Sequence, residues 1–334
     1  MRIGLHYSLQ VAPGEASQTV IREALEDIAW ADANGFSAVV FAEHHFFEDC
    51  WVPRPMQLAT AAAAITKTVR IGTDITILPL HHPVAVAEEA ALADVVSGGR
   101  FILGVGLGWR EEEYAGFGVP FKQRAKVYER SIDIVRRLLR GETVSDSEGH
   151  YRFQDARIRP QPVNPNGVPL WMGGIADVAM KRIARTGDAW IMSPGVPVER
   201  LVQQQRLLKQ QREALALPPF REWPLRREAF VADTDARAWE LYAPALRHEY
   251  GTVYRSLYAG YPDNDTIDNL RKWGESTFAV GSPQTVAARL RDCGRALGTT
   301  ELLIRFQLPY IARGAVGESL RGLKEVMGLL GRTG

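Results

Sequence analysis

The sequence predicts an α/β fold, a (β/α)8 TIM barrel, from three observations. Short apolar runs rich in β-branched residues alternate with amphipathic helical patterns along most of the 334 residues. The apolar runs are nearly continuous, which is typical of parallel strands whose faces are covered by helices. About eight strand–helix units occur, the number that closes a barrel. A doubly wound open sheet is the alternative architecture for the same units.

The first half of the chain contains four of these units. Ser17 is a candidate N-cap and Gly35 a stop signal for the first helix. Pro55 and Pro83 suit the first turns of the next two helices. Strands are expected at residues 2–7, 37–43, 69–78 and 101–108, and helices at 17–34, 55–66, from 83 to the glycines at 98–99, and at 121–140.

The second half of the chain contains two departures from this alternation. A polar stretch at 142–166 indicates a hairpin excursion after the fourth helix, and residues 233–280 predict a mostly helical insertion after the seventh strand. The regular strands are expected at 168–172, 188–192, 225–232 and 300–308, and the helices at 175–186, 197–214, 282–298 and 315–330. Because no repeat or low-complexity linker divides the chain, we expect one domain over residues 1–334.

Composition argues against several classes of function. Forty Lys and Arg against 39 Asp and Glu give a net charge of +1, which gives no electrostatic argument for binding to nucleic acid or to an anionic membrane. No apolar run approaches the roughly 20 residues of a membrane span, and the first residues lack the apolar core of a signal peptide. Cys50 and Cys293 are the only cysteines, which suits a reducing compartment. We therefore expect a cytoplasmic protein with neither membrane nor nucleic-acid partners.

Five of the seven histidines follow predicted strands at one rim of the barrel. His6 ends the first strand, His44 and His45 end the second, and the pair at 81–82 follows the third. Active sites of such barrels lie at the carboxyl ends of the strands, so the pattern predicts a site near the first three. If the second strand continues, only one of His44 and His45 faces the cavity. The pair at 81–82 is interpreted as a helix entry.

Two chemistries suit histidines at a barrel mouth. One is a metal-dependent hydrolase, and the other is a cofactor enzyme in which histidine moves protons. Metal barrels often carry His-x-His on the first strand, whereas this chain has His6-Tyr7-Ser8, so no metal ligands are predicted.

Two glycine-rich strand ends suit a cofactor. Gly173-Gly174 before a helix suits a phosphate, and GVGLGW (104–109) leaves space for a flat ring, although both could be simple tight turns. No helix is expected directly after GVGLGW, so it is not interpreted as a dinucleotide fingerprint.

Five stretches of the chain occur in the order of a known protein family. They are EHHF (43–46), ILPLHHPV (77–84) with SGGRF (97–101) ending its helix, GVGLGWREEEYAGFGVPFKQR (104–124), IRPQPVNPNGVPLWMGG (158–174) and TGDAWI (186–191). Over residues 1–195, and more loosely to the end, the chain resembles the bacterial luciferase-like flavin-dependent monooxygenases. The family includes relatives that use reduced FMN and relatives that use a deazaflavin.

The resemblance implies a TIM barrel with a flavin ring in its mouth. His44 corresponds to the family's catalytic histidine, and a bulge behind the ring, often a non-prolyl cis peptide, falls at Asp74-Ile75. The cofactor-binding residues that the resemblance implies are Asp74, Ile75 and Gly106 at the ring, and Arg124 with the backbone of Gly173, Gly174, Ile175 and Ala176 at the phosphate. We expect the substrate pocket to be bordered by His6, His45, Trp51, Trp109 and Arg110.

The chain departs from the luciferase α-subunit at two places. That subunit has a cysteine and an arginine where this chain has Gly106 and Leu107, and a Glu-Ser pair where it has Ile175 and Ala176. One phosphate arginine and one hydroxyl are thus missing, so a non-luminescent member is expected.

The function implied by the resemblance is a two-component monooxygenase. Reduced FMN, supplied by a separate flavin reductase, reacts with O2 to a C4a-hydroperoxide that oxidises a small organic substrate. A homodimer is also implied, and the Ala-rich helix at 58–64 suits its interface. Tyr250, Tyr254 and Tyr258 share one face of the insertion, which is interpreted as packing on the barrel, and the insertion is a candidate cover.

Three other functions remain open from the sequence. The first is a deazaflavin-dependent oxidoreductase that transfers hydride on the same barrel, and the second is a metal-dependent barrel hydrolase. The third is a catalytically silent flavin-binding subunit, against which the presence of His44 argues.

Overall fold

The structure is a computed structural model that describes residues 1–165, 167–255, 257 and 260–331. Within these residues, the central sheet contains only parallel strand pairs. Its strands are β1 (Arg2–Tyr7), β2 (Ala38–Phe41), β3 (Arg70–Thr73), β4 (Thr76–Ile77), β5 (Phe101–Gly106), β8 (Leu170–Gly173), β9 (Ala189–Ile191), β10 (Pro224–Val231), β11 (Phe278–Gly281) and β12 (Glu301–Arg305). A separate antiparallel pair consists of β6 (Val144–Asp146) and β7 (Phe153–Ala156).

Helices connect the strands of the sheet. They are α1 (Ser17–Ala33), α2 (Pro55–Ile65), α3 (Pro83–Ser97), α4 (Glu111–Gly116), α5 (Arg124–Leu139), α6 (Asp177–Thr186), α7 (Val198–Ala214), α8 (Asp235–His248), α9 (Ile267–Trp273), α10 (Pro283–Leu297) and α11 (Arg313–Gly331). A π-helical turn, Glu249–Val253, continues α8. Among the described residues, we find no helix with the length and apolar character that a membrane crossing requires.

The sheet curls round on itself. Neighbours run in the order β11-β10-β12-β1-β2-β3-β5-β8-β9, and isolated parallel bridges from Ala189 to Glu222 and from Met192 to Leu225 bring β9 back beside β10. The predicted α/β fold with a curled, parallel sheet is thereby confirmed. The carboxyl ends of the strands therefore meet at one rim.

The predicted third strand is interrupted. β3 stops at Thr73, the Asp74–Ile75 peptide is cis, and β4 resumes the ladder. Gly72 pairs with Ile102 and Thr76 pairs with Val105, so one extra residue lies on the β3–β4 side, as in a β-bulge. The cis bond occurs at the position that the family resemblance implied.

Two other local expectations need correction. A short helix, α4, does follow GVGLGW, with three glutamates in its first turn where the helix dipole favours acidic residues. The segment 233–280 is helical in α8 and α9 but ends in β11, whose short apolar run is too brief to distinguish from helix by pattern. The antiparallel β6–β7 pair lies in the segment predicted to form a hairpin.

Candidate active site

A cavity of about 330 Å³ lies where the carboxyl ends of the strands meet. Its size falls in the range of small-molecule and cofactor sites. Its wall is built from the end of β2, the bulge after β3, the end of β5, the turn after β8, helix α6, the residues after β9, one side chain of β10 and the segment after α8. The lining includes His44, Asp74, Ile75, Gly106, Trp109, Gly173, Gly174, Ile175, Ala176, Arg182, Arg226 and Tyr254.

His44 lies at the end of β2 and is held at both ring nitrogens. Nδ1 is 2.8 Å from Oε1 of Glu113, and Nε2 is 3.1 Å from the hydroxyl of Tyr254. The edge of the ring packs on Trp51, with centroids 4.6 Å apart at 88°. Only 9% of the side chain is exposed, so the imidazole is both nearly dry and fixed in orientation.

Glu113 determines the tautomer of His44. Its carboxylate is fully buried, and Oε1 also accepts a hydrogen bond from the backbone N–H of His45 at 2.9 Å. A carboxylate only accepts hydrogen bonds, so Nδ1 of His44 must carry the proton that it donates to Glu113. In the neutral ring, Nε2 is therefore the acceptor and Tyr254 donates its hydroxyl proton to it.

The bulge and two glycines form one flat, apolar wall of the cavity. A Cβ on Gly106 would collide with Cδ1 of Ile75, and one on Gly173 would stand 3.3 Å from Cγ2 of the same side chain. Both glycines therefore give Ile75 the room to lie along the strand ends. The wall that results suits a planar ring, which is the property a flavin requires.

The turn after β8 leads into an uncapped helix. Trp190 Nε1 donates to the carbonyl of Gly174 at 3.0 Å, and Gln204 donates to the carbonyl of Ile175. In a trans peptide the N–H points opposite to the C=O, so the N–H groups of Ile175 and Ala176 point away from those two side chains. No described side chain caps α6, whose N-cap residue Ala176 and third residue Ala179 line the cavity. This geometry fits an anionic group such as a phosphate.

Arg182 adds positive charge to the same end of the cavity. It lies one turn into α6, is largely buried, and pairs with Glu129 Oε1 at 2.9 Å. Asp177, in the first turn of α6, is itself held by Arg200 at 2.6 Å. The helix N-terminus therefore keeps a favourable field for an anion despite the nearby aspartate.

A polar group lies beneath the cavity. Nε2 of His6 is 3.1 Å from the carbonyl oxygen of Asp74 and 3.3 Å from Nη1 of Arg226. Burial and the charges of Arg226 and Arg305 hold the pKa of His6 well below its usual value, so this imidazole is neutral. Burial raises the pKa of the Asp74 carboxyl, while the same two arginines oppose that rise. His6 is thus a buried support for the bulge.

A second cluster lies behind His44, formed by Glu43, His45 and His81. Oε1 of Glu43 accepts from Nε2 of His45 at 2.8 Å and from Nε2 of His81 at 2.7 Å. Arg54 Nη1 lies 2.7 Å from Nδ1 of His81. Burial acts to raise the pKa of Glu43, but the charge of His81 and the two histidine hydrogen bonds outweigh it and lower the pKa to about 2.

The same three side chains have the composition of a metal site. Ligands around a tetrahedral zinc, with bonds of about 2.0–2.1 Å, stand roughly 3.3 Å apart. The separations of 2.7 and 2.8 Å between Glu43 and the histidines are instead those of hydrogen bonds. The adjacent guanidinium of Arg54 also disfavours a cation. We interpret the cluster as a hydrogen-bonded support of the loop that carries His44.

The structure brings most of the sequence-predicted residues together. His44, Trp109 and all the implied cofactor residues except Arg124 line the cavity. Arg124 lies over the ring of Phe121, 3.8 Å from its centroid, and donates to the carbonyl of Phe121. Its implied phosphate contact therefore stays a prediction.

Four residues expected at the substrate pocket lie outside its lining. His6 and His45 are buried beneath and behind it, and Trp51 packs on His44. Arg110 donates to the carbonyl of His45 at 2.8 Å and lies over Phe47. His6 and Trp51 contact the lining residues Asp74 and His44, whereas Arg110 holds the loop that follows His44.

Sequence reasoning missed Glu113, Arg182 and Arg226, and assigned Tyr254 to packing. Glu113 is 69 residues from His44 and Tyr254 is 210 residues from it, so no local pattern could pair them. Tyr250 does pack on the barrel, where its hydroxyl donates to Glu228 at 2.9 Å. Tyr258 lies outside the described residues.

Comparison with known proteins gives the family. The sequence model of the luciferase-like monooxygenases matches residues 1–301. 4-Hydroxyprotoasukamycin monooxygenase of Streptomyces nodosus subsp. asukaensis is 34% identical over 88% of this chain and 82% of its own. An uncharacterised protein of Sinorhizobium fredii, y4vJ, is 31% identical over 52% of this chain and about half, 49%, of its own length.

Solved structures share the fold. The oxygenating constituent of 3,6-diketocamphane monooxygenase from Pseudomonas putida, in complex with FMN, superposes with a TM-score of 0.81 at 18% identity, covering 100% of this chain and 98% of its own. An F420-dependent secondary alcohol dehydrogenase superposes with a TM-score of 0.80 at 18% identity, covering 98% of both chains. The chain belongs to the luciferase-like monooxygenase family of oxidoreductases.

Proposed function

We propose that this chain is a flavin-dependent monooxygenase that uses reduced FMN and O2 to oxidise a small organic substrate. The observation that carries the proposal is the joint placement of His44, held by Glu113, and a flat wall at Ile75 in one cavity that ends at an uncapped helix. A proton-handling group, a surface for a ring and a place for an anion are the three features that such a cofactor needs.

The residues present fit a flavin mononucleotide. Ile75, Gly106 and Gly173 would support the isoalloxazine ring, and the N–H groups of Ile175 and Ala176 with Arg182 would hold the phosphate. Arg124 would join them only after leaving Phe121. Reduced flavin, when bound, activates O2 so that one oxygen atom reaches the substrate.

The chain's own contribution is proton control in a dry site. His44 lies at the cavity wall with Nδ1 protonated towards Glu113, so proton exchange takes place on its Nε2 side, where the Tyr254 hydroxyl is bonded. Trp51, Trp109 and Tyr254 surround the imidazole with ring centroids within 4.6 to 6.1 Å. Such an aromatic enclosure excludes water and strengthens the polar interactions inside it.

A deazaflavin-dependent oxidoreductase is the second candidate. The family fold also occurs in the F420-dependent dehydrogenase, whose cofactor is a deazaflavin that transfers hydride. The same wall and helix end could hold it, so the two proposals differ in cofactor and in the need for O2. A metal-dependent hydrolase is less well supported, because the Glu43 cluster is hydrogen-bonded at distances too short for shared coordination.

A reductase and a second copy of the chain are proposed as partners. The relatives' names identify monooxygenases, and a separate flavin reductase would supply the reduced FMN in solution. Helices α2 and α3 carry exposed apolar side chains, namely Ile65, Leu92, Val95 and Val96. A homodimer through these helices would bury them. Light scattering of the purified protein tests the dimer. A cytoplasmic location is a separate part of the proposal.

Anaerobic titration tests the proposed function directly. Purified protein is titrated with reduced FMN and, separately, with reduced F420, and each complex is then mixed with oxygen. Tight FMN binding followed by an oxygen-dependent transient in the flavin spectrum supports the monooxygenase. Binding of the deazaflavin alone, with no oxygen response, supports hydride transfer. Binding of neither, together with stoichiometric metal in the protein, supports the hydrolase.

A further inference from the structure

We propose that the hydroxyl of Tyr254 is the group that exchanges a proton with the bound ligand, with His44 and Glu113 acting behind it. The inference deepens the proposed function and rests on it, because it takes the cavity as the reaction site. It adds a catalytic residue from the segment after α8, which lies far in sequence from the histidine-bearing rim.

The three side chains form a chain of carboxylate, imidazole and hydroxyl. Glu113 Oε1 is 2.8 Å from Nδ1 of His44, and Nε2 of His44 is 3.1 Å from the Tyr254 oxygen. The order of groups is that of a Ser-His-Asp relay with a phenol in place of the serine. As in that relay, the buried carboxylate fixes the tautomer and stabilises the imidazolium when it forms.

Both nitrogens of His44 are already engaged inside the protein. An imidazole has only two hydrogen-bonding atoms, and Glu113 and Tyr254 occupy them. The remaining ring edges face aromatic side chains, with the Phe47 centroid at 5.3 Å and the Trp109 centroid at 6.0 Å. A ligand in the cavity would have to displace Tyr254 to reach Nε2.

The hydroxyl of Tyr254, by contrast, can serve the histidine and a ligand together. A hydroxyl has one proton and two lone pairs, so it can donate to Nε2 while it accepts from another group. Tyr254 is itself part of the cavity lining. Its ring stands edge-on to Trp51 and tilted against Trp109, with centroids 6.0 and 5.9 Å away, which fixes the position of the oxygen.

Proton transfer through this chain is balanced. A ligand group gives its proton to the Tyr254 oxygen as the phenolic proton passes to Nε2 of His44, which becomes an imidazolium paired with Glu113. The reverse sequence returns the proton to the ligand and restores the neutral ring. No oxidant or further reactant enters these steps. A free phenol, with a pKa of about 10, would be a poor proton carrier near neutral pH without the histidine behind it.

The kinetic test compares Tyr254→Phe, His44→Ala and the double variant with wild-type enzyme. Tyr254→Phe keeps the ring and its packing, so we expect FMN affinity within about threefold and turnover reduced roughly 10²- to 10⁴-fold. Because the residues act as one unit, the double variant should be no slower than the slower single variant. The matched control is Tyr261→Phe in the same insertion, whose hydroxyl bonds Asp265 at 3.0 Å outside the cavity lining. Turnover of Tyr254→Phe equal to that of this control, or fully additive losses, overturns the relay.

A measurement on the flavin-free protein separates the relay from the proposed function. Nitrogen-15 NMR of labelled histidine should show Nδ1 of His44 protonated and Nε2 unprotonated but hydrogen-bonded. In Tyr254→Phe the Nε2 resonance should move towards that of an imine nitrogen without a donor, while Nδ1 stays unchanged. A proton on Nε2 in the neutral wild-type ring overturns the relay. Failure of the wild-type protein to bind any flavin overturns the proposed function instead and leaves the NMR result intact.

Discussion

Oε1 of Glu113 lies 2.8 Å from Nδ1 of His44, and no solvent reaches the carboxylate. The glutamate comes from the first turn of α4 and the histidine from the end of β2, so the contact joins two loops of the barrel rim. It fixes which nitrogen of His44 faces Tyr254. The chemistry of the site therefore depends on a side chain that does not line the cavity.

Glu113→Gln should impair turnover far more than flavin binding. The amide loses the negative charge that stabilises an imidazolium, and its NH2 group can force the other tautomer on His44. We expect turnover to fall roughly 10²- to 10⁴-fold while FMN affinity changes little. The control is Glu111→Gln, which changes an exposed glutamate two residues away in the same helix and should behave like wild type. Stopped-flow kinetics with measured flavin affinity checks both, and equal turnover of the two variants contradicts the role of Glu113.

His44→Ala should separate chemistry from binding. The imidazole lies after the end of β2, whereas the phosphate is proposed at the N-terminus of α6. We expect turnover to collapse while the Kd for reduced FMN stays within about tenfold, which is about 1.4 kcal/mol. Titration and single-turnover kinetics on the same preparation measure both quantities. Parallel loss of affinity and turnover would argue that His44 only shapes the pocket.

The sequence was sufficient for the curled sheet and for the location of the site, because both follow from periodicity. Strand–helix alternation predicted the sheet, and histidines after successive strands identified the rim that holds His44. The cis bond at Asp74–Ile75 came from family resemblance alone, since a backbone isomer leaves no local pattern. Partners such as Glu113 and Tyr254 depend on how distant segments fold together, and single-sequence patterns do not carry that information.

The family resemblance implies Arg124 as the phosphate arginine, and this assignment stays a prediction. Arg124 is the first residue of α5 and belongs to a matching motif, and its guanidinium stacks on Phe121, while Arg182 reaches the cavity from the second turn of α6. The sequence pattern predicts helix α6 but does not show which of its residues face the cavity, so the pattern does not single out Arg182.

Arg182→Ala should weaken FMN but spare riboflavin, which lacks the phosphate. A charge-assisted hydrogen bond is worth about 1.5–3 kcal/mol, so we expect a loss of roughly 10- to 100-fold in FMN affinity. Arg185→Ala is a close control, because that exposed arginine also pairs with Glu129, at 3.2 Å, from the same helix. Fluorescence titration with both flavins measures the difference. Equal losses for FMN and riboflavin would mean that Arg182 acts through the helix rather than on a phosphate.

Arg124→Ala in the same titration tests the contact that the resemblance implied. If FMN draws the guanidinium away from Phe121, the variant should lose affinity for FMN and keep that for riboflavin. Unchanged FMN affinity would refute a phosphate role for Arg124.

Stability should fall in acid through Glu43. Its pKa of about 2 in the folded protein lies below its ordinary value of 4.5, so the ionised carboxylate stabilises the fold above about pH 4.5 and this stabilisation is lost as the pH falls towards 2. The shift corresponds to roughly 3 kcal/mol. Glu43→Gln should therefore be less stable than wild type at pH 6 by about that amount, and the gap should close in acid. Urea unfolding across this pH range measures it, with exposed Glu48→Gln as the control; a gap independent of pH would refute the assignment.

Arg305→Met should be the most destabilising of these changes. Arg305 is buried between Glu228 and Glu249, with Nη2 2.7 Å from Oε1 of Glu228, and its loss leaves two buried carboxylates without their cation. Breaking such a cluster costs about 3–5 kcal/mol. Arg237→Met is the control, since its pair with Glu318, at 3.5 Å, is half exposed and worth at most about 1 kcal/mol.

Urea unfolding at pH 7 measures the stability of both arginine variants. Substitutions that restore the lost stability identify the cause of the loss. Adding Glu228→Gln and Glu249→Gln to Arg305→Met removes the uncompensated charges, so much of the lost stability should return. Because Glu249 begins the π-helical turn that carries the chain to Tyr254, turnover of Arg305→Met should fall with stability and recover with it. A triple variant no more stable than Arg305→Met would show that lost packing, rather than unpaired charge, dominates at this position.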